Sequence, residues 1–125
     1  MVTLELVHSD ARGEMYSISL PGDRELMLLF SRKGTRRGGH SHSVPETIML
    51  LDGKMRYHKL NMKCPLPPEE LGPGDCSRNE AGEVHMGEFL EDTWLVEVKL
   101  AKKSEWTQAN FSPWRELVEA NATST

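Results

Sequence analysis

The sequence predicts an all-β chain that ends in a short helix, on three observations. Short segments rich in β-branched, aliphatic and aromatic residues dominate the first hundred residues. Glycine and proline clusters separate these segments, and no helical apolar period interrupts them. Strands are expected over 2–7, 15–20, 26–31, 46–51, 54–60, 82–89 and 93–100. Turn chemistry supports those limits at 21–23 (PGD), at Asp52-Gly53 and at 72–75 (GPGD), where glycine or proline sets the backbone. The run KCPLPPEELGPGD reads as a loop, because its four prolines leave few amides for a ladder. At the end, Ser112 as a cap and Pro113 in the first turn introduce WRELVEA as a helix.

Length and charge narrow the function classes. A chain of 125 residues is expected to form one domain over 1–125 with a single core. Nineteen acidic against fifteen basic residues give a net charge of −4, which argues against nucleic acid or a membrane surface as the partner. The N-terminus has no basic start followed by an apolar run, and no stretch approaches the ~20 apolar residues of a bilayer span. A cytoplasmic protein is therefore expected. Cys64 and Cys76 are then reduced thiols whose spacing fits no metal motif, and the sequons at Asn110 and Asn121 are chance matches.

The stretch GGHSHSVPE, 38–46, carries the chemistry. Residues two apart on a strand share a face, so His40 and His42 point the same way, and Glu46 keeps that parity if the chain stays extended past Pro45. A two-residue Asp52-Gly53 turn would pair Glu46 with Lys59, Ile48 with Tyr57 and Leu50 with Met55, and send all of them inward. In the later hairpin, Trp94, Val96 and Val98 alternate with Leu95, Glu97 and Lys99 and are expected to face the core. A two-residue Glu91-Asp92 turn would then set Val98 against His85, Val96 against Gly87 and Trp94 against Phe89, sending His85 inward as well. Three neutral imidazoles and one carboxylate suit a borderline divalent transition metal (Fe, Mn, Ni or Zn) and leave room for water or substrate.

These residues also carry a resemblance. Gly34, His40, His42, Glu46 and Gly53 match the first motif of the cupins, G-x5-H-x-H-x3/4-E-x6-G, over 34–53. Gly74, Gly82 and His85 match the second motif over 74–89, with Glu80 in place of its proline and Phe89 in place of its asparagine. The chain is similar to a small single-domain cupin. That resemblance implies a double-stranded β-helix, or jelly-roll, barrel in which His40, His42, Glu46 and His85 bind the metal. It leaves the reaction open, because cupins include dioxygenases, isomerases, epimerases, lyases, decarboxylases, storage proteins and ligand sensors. The dimethylsulfoniopropionate lyases carry a tyrosine where this chain has Ile48; cupin sugar-nucleotide isomerases and epimerases share an arginine-glycine lead such as RRGGHSH.

The expectation is a metal-dependent cupin enzyme of oxygenase, isomerase or lyase type acting on a small polar metabolite. Its alternative is a non-catalytic sugar- or metabolite-binding module. Tyr57, on the inward face, is the candidate catalytic residue as proton donor or substrate partner, and reads equally as a core tyrosine with its hydroxyl satisfied. Lys59 either holds an anionic substrate or snorkels to solvent. Arg32, Lys33, Arg36 and Arg37 either steer anions toward the mouth of the site or form a solvated basic loop, and His8 and His58 read as chemically idle. Apolar Met49, Leu51, Val84 and Met86 on the outer face point to a homodimer.

Overall fold

The computed structural model describes residues 2–61, 64–99 and 101–120. Leu100, expected to close the last long strand, and the Asn121 sequon lie outside them. All seven expected strands form: β1 (Thr3–Asp10), β2 (Gly13–Leu20), β3 (Arg24–Ser31), β5 (Glu46–Asp52), β6 (Met55–Asn61), β10 (Val84–Phe89) and β11 (Thr93–Lys99). Five more complete the barrel: β4 (Arg36–His42), β7 (Cys64–Pro65), β8 (Glu69–Leu71), β9 (Cys76–Asn79) and β12 (Gln108–Asn110). The glycine pair hides β4, and the other four are too short or polar to show an alternating pattern. The proline-rich loop thus holds two short strands where the sequence predicts none.

The strands form two facing antiparallel sheets, of order β1-β2-β3-β11-β5-β9 and β12-β4-β10-β6-β7, with β8 also on β6. Between them Leu29, Ile48, Leu50, Met55, Tyr57, Leu71, Phe89 and Leu95 make the core.

Neither expected hairpin exists, and the two fail differently. β5 pairs with β9 and β11, while β6 pairs with β10, β7 and β8, so the chain crosses from one sheet to the other at Gly53. A Cβ there would stand 2.4 Å from Thr93 Oγ1 at a φ of 107°, so only glycine fits the corner. The pairs Glu46–Lys59, Ile48–Tyr57 and Leu50–Met55 do not form. Their faces are nevertheless as expected, because folding the ribbon over at a two-residue corner keeps the shared side inside: Glu46, Ile48, Leu50, Met55 and Tyr57 are all buried.

β10 and β11 likewise lie in opposite sheets. Three residues, 90–92, separate them, which shifts the register by one and turns the other face of β11 inward. Thr93 and Leu95 are buried while Trp94 is 36% exposed, so Trp94, Val96 and Val98 do not face the core. Trp94 instead packs outside against Phe30 and Tyr16, at 5.0 and 6.4 Å between ring centroids. His85 still points inward, because the wrong face for β11 and the wrong register cancel.

α1 (Ser112–Glu119) lies on the outer face of the second sheet. Phe111, not Ser112, occupies its N-cap, without a side-chain bond. The helix backbone passes so close to β4 that a Cβ on Gly39 would sit 2.9 Å from the Arg115 nitrogen. Trp114 meets His58 edge-on at 6.3 Å, and Val118 is fully buried. Met86, paired between Gly38 and His58 under this helix, is 4% exposed, which removes it from the expected dimer surface. No helix among the described residues is long and apolar enough to cross a membrane.

Candidate metal centre

The glycine pair before the histidines makes a β-bulge. Along β4 and β10, His40 pairs with His85 but Gly38 pairs with Met86, so Gly39 is an extra residue. Gly38 and Gly39 take φ of 99° and 74°, and a Cβ on Gly38 would stand 2.7 Å from the His85 carbonyl oxygen. Because the bulge changes the parity, Arg37 and the His40/His42 pair all face the interior. Arg37 is 7% exposed, so it is not part of a solvated loop.

His40, His42 and His85 meet there, with ring centroids 4.8, 4.8 and 5.1 Å apart and one nitrogen of each within 4.8 Å of the others. His85 Nδ1 lies 3.3 Å from the Glu83 carbonyl oxygen and His42 Nε2 lies 3.2 Å from Gln108 Oε1. Donating from those nitrogens leaves a lone pair on the opposite nitrogen of each ring. His40 Nδ1, His42 Nδ1 and His85 Nε2 are buried without a hydrogen-bond partner. Burial holds all three imidazoles below their ordinary pKa, His42 at about 4, so they are neutral near pH 7, the state that ligates metal. Orphaned, neutral, convergent nitrogens fit a divalent transition metal.

Glu46, 1% exposed, stands at the edge of this group, with carboxylate oxygens 3.6 Å from His85 Nε2 and 3.7 Å from His42 Nδ1. Burial opposes its charge, but Lys99, whose Nζ is 2.7 Å from Glu46 Oε2, together with His85 and His42 outweighs burial and holds the carboxyl below its ordinary pKa. Asn79 Nδ2 donates to Glu46 Oε1 at 3.2 Å and to the Tyr57 hydroxyl at 2.6 Å. Tyr57 is buried, its ring 6.1 Å from His85, and burial raises its pKa well above the usual phenol value. Trp106 closes this end, edge-on to His42 at 5.4 Å and 4.4 Å from the Lys99 ammonium.

A cavity of about 220 Å³ opens against His40 and His85, with Tyr57, Glu97, Arg37 and Gln108 also on its wall. Burial, then the neighbouring Glu46 carboxylate, pushes Glu97 up to about 8. Lys59 is no ligand anchor, since its ammonium donates to the Arg78 carbonyl oxygen at 2.8 Å and pairs with Glu69 at 3.0 Å. His8 pairs with Asp10, and Cys64 and Cys76 are exposed free thiols.

Sequence reasoning missed Asn79, Glu97, Lys99, Gln108 and the inward Arg37. The signal for Arg37 was the glycine pair itself. The signal for Glu97 and Lys99 was the odd spacing between β10 and β11.

No family model matches the chain, and no curated protein does. Solved structures do. An uncharacterised Klebsiella pneumoniae protein with a double-stranded β-helix domain aligns with TM-score 0.66 and 18% identity, over 84% of this chain and 90% of that one. Procruciferin, an 11S globulin from Brassica napus, gives 0.72 at 11% identity, over 83% and 29%. An oxalate decarboxylase variant from B. subtilis gives 0.64 at 16% identity over 86% of this chain, which spans 30% of that protein. The chain thus has a double-stranded β-helix fold, the fold that its resemblance to the cupins implies.

Proposed function

We propose that the protein is a metal-dependent cupin enzyme acting on a small polar metabolite, with His40, His42, His85 and Glu46 as ligands of one divalent transition metal (Fe, Mn, Ni or Zn). The observation that carries this is the set of three orphaned imidazole nitrogens converging beside a cavity. Such an ion supplies Lewis-acid polarisation of a bound oxygen atom. The chain's own groups do the rest. Gln108 and the Glu83 carbonyl orient two of the rings; Asn79 fixes the Tyr57 hydroxyl, which accepts its N–H and keeps its own proton to donate. The likeness to an oxalate decarboxylase supports an enzymatic reading of this fold. The test is elemental analysis of natively purified protein with a substrate screen run with and without oxygen. About one equivalent of transition metal and turnover support the proposal, and oxygen dependence selects the oxygenase class. Ligand binding without turnover assigns the barrel the sensing role instead.

We further propose a homodimer. Met49, Leu51, Trp94, Leu4 and Leu6 expose 37%, 44%, 36%, 64% and 53% of their surface on the first sheet, whereas α1 covers the second. Light scattering is expected to give twice the chain mass, and Met49→Glu to halve it with the barrel still folded. A wild-type monomer at micromolar concentration contradicts it.

A further inference from the structure

Three arginines line the cavity, and only one of them lacks a carboxylate partner. Arg12 pairs with Asp10 at 2.7 Å, and Arg115 pairs with Glu119 while donating to the Gly38 carbonyl oxygen. Arg37 bonds only neutral acceptors: its Nε donates to Ser31 Oγ at 2.7 Å and its Nη2 to the Phe30 carbonyl oxygen at 3.1 Å. No carboxylate lies within ion-pair distance of it among the described residues. Desolvation lowers its pKa only to about 10, so it remains a cation, 7% exposed. A buried, unpaired charge is destabilising, and a ligand anion that neutralises it recovers that energy.

The two bonds Arg37 makes occupy the Nε/Nη2 edge of the guanidinium. The Nη1/Nη2 edge keeps one N–H on each nitrogen pointing the same way, the fork a carboxylate accepts with both oxygens. Ser31 is fully buried, so the guanidinium is held rather than mobile. The Gly38-Gly39 bulge puts it on the same wall as His40, three residues further along β4. Leu29, Ile48 and Leu95 line the cavity too, and its volume of about 220 Å³ suits a molecule of a few heavy atoms, at roughly 30 Å³ per displaced water.

We propose that Arg37 is the anchor for the carboxylate of a small organic acid, with its short body against the apolar wall and its other end toward His40 and His85. This deepens the proposed function, since it rests on the cavity being the ligand chamber of the metal centre. One fork favours a planar carboxylate over a tetrahedral phosphate, which has more oxygens than Arg37 has donors to offer.

The test is calorimetric titration of the full chain, as purified and after stripping with EDTA, with butyrate, malonate, the neutral isostere butyramide and inorganic phosphate. In the stripped protein one of the acids is expected to bind at least about tenfold more tightly than butyramide. Arg37→Met is expected to abolish that preference while still taking up Zn²⁺, and Arg37→Lys to retain part of it. Equal affinity for acids and amide, tighter binding of phosphate, or an unchanged preference in Arg37→Met overturns the proposal. The wild-type comparison decides the matter even if Arg37→Met does not fold. Zn²⁺ uptake without acid preference refutes the anchor alone, and acid preference without Zn²⁺ uptake refutes the metal centre alone.

Discussion

The two sheets contribute unlike walls to the candidate site between them. The sheet of β4, β6 and β10 supplies His40, His42, His85, Tyr57 and Arg37, while the sheet of β5, β9 and β11 supplies Glu46, Asn79, Glu97 and Lys99. The first wall holds three neutral rings, two of them oriented by hydrogen bonds to a backbone carbonyl and a side-chain amide. The second is a charge network in which Lys99 neutralises Glu46 and Glu46 raises Glu97. Under the proposed function, the imidazole wall would capture the metal and the carboxylate wall would tune its affinity.

Breaking the imidazole wall is expected to have the largest effect. His42→Ala leaves two rings and should weaken Zn²⁺ binding by more than about 100-fold, since even loss of an outer partner costs 10–100-fold. Equilibrium dialysis checks it, and near-wild-type affinity would separate His42 from the site. Next comes acid sensitivity. The buried imidazoles have folded pKa values below the ordinary ~6.5, so the unfolded chain binds more protons and stability is lost as pH falls from there toward about 4, the value for His42. Glu97 works the other way, because its raised pKa gives stability that is present below the ordinary carboxylate value of 4.5 and lost as pH rises through about 8. The Tm of EDTA-stripped protein should therefore rise from pH 5 to about 6.5 and then fall, and Glu97→Gln should flatten the fall. A Tm that rises steadily to pH 9 contradicts this division between the walls.

A smaller effect belongs to Lys99, which competes with a metal for Glu46. Lys99→Met should lower the Tm of the stripped protein, by leaving a buried carboxylate unpaired, and raise Zn²⁺ affinity by roughly tenfold. Weaker Zn²⁺ binding would make Lys99 a support of the site. Tyr57→Phe is the mildest change. It removes one hydrogen bond from Asn79, worth about 1 kcal/mol, and should keep fold and metal while reducing turnover or ligand affinity. Full activity on the substrate would make Tyr57 a core residue only.

In the imidazole wall, His85 is set inward through a hairpin that does not form, and its place comes out right only because two errors cancel; His40 and His42 were readable because they follow one another on one strand and share a face whichever strands pair. Tyr57 and Met55 were placed for the same reason, a two-residue corner preserving the face. The carboxylate wall was not readable. Apolar alternation at Trp94, Val96 and Val98 suggests an inward face, but these residues lie on the outer one, Trp94 exposed, and the inward Glu97 and Lys99 look like solvent residues until the strands of the opposite sheet enclose them. Functional sites are where pattern and burial disagree. Asn79 and Gln108 sit on strands of four and three residues, too short for any period to register.

The most direct test of the metal centre is X-ray absorption at the Zn edge on the Zn²⁺-loaded protein. Three imidazole nitrogens and one carboxylate oxygen at roughly 2.0–2.2 Å, with one imidazole lost in His42→Ala, is the predicted result. A Zn²⁺ ion bound by fewer than three imidazoles, or a wild-type spectrum unchanged by His42→Ala, would contradict it.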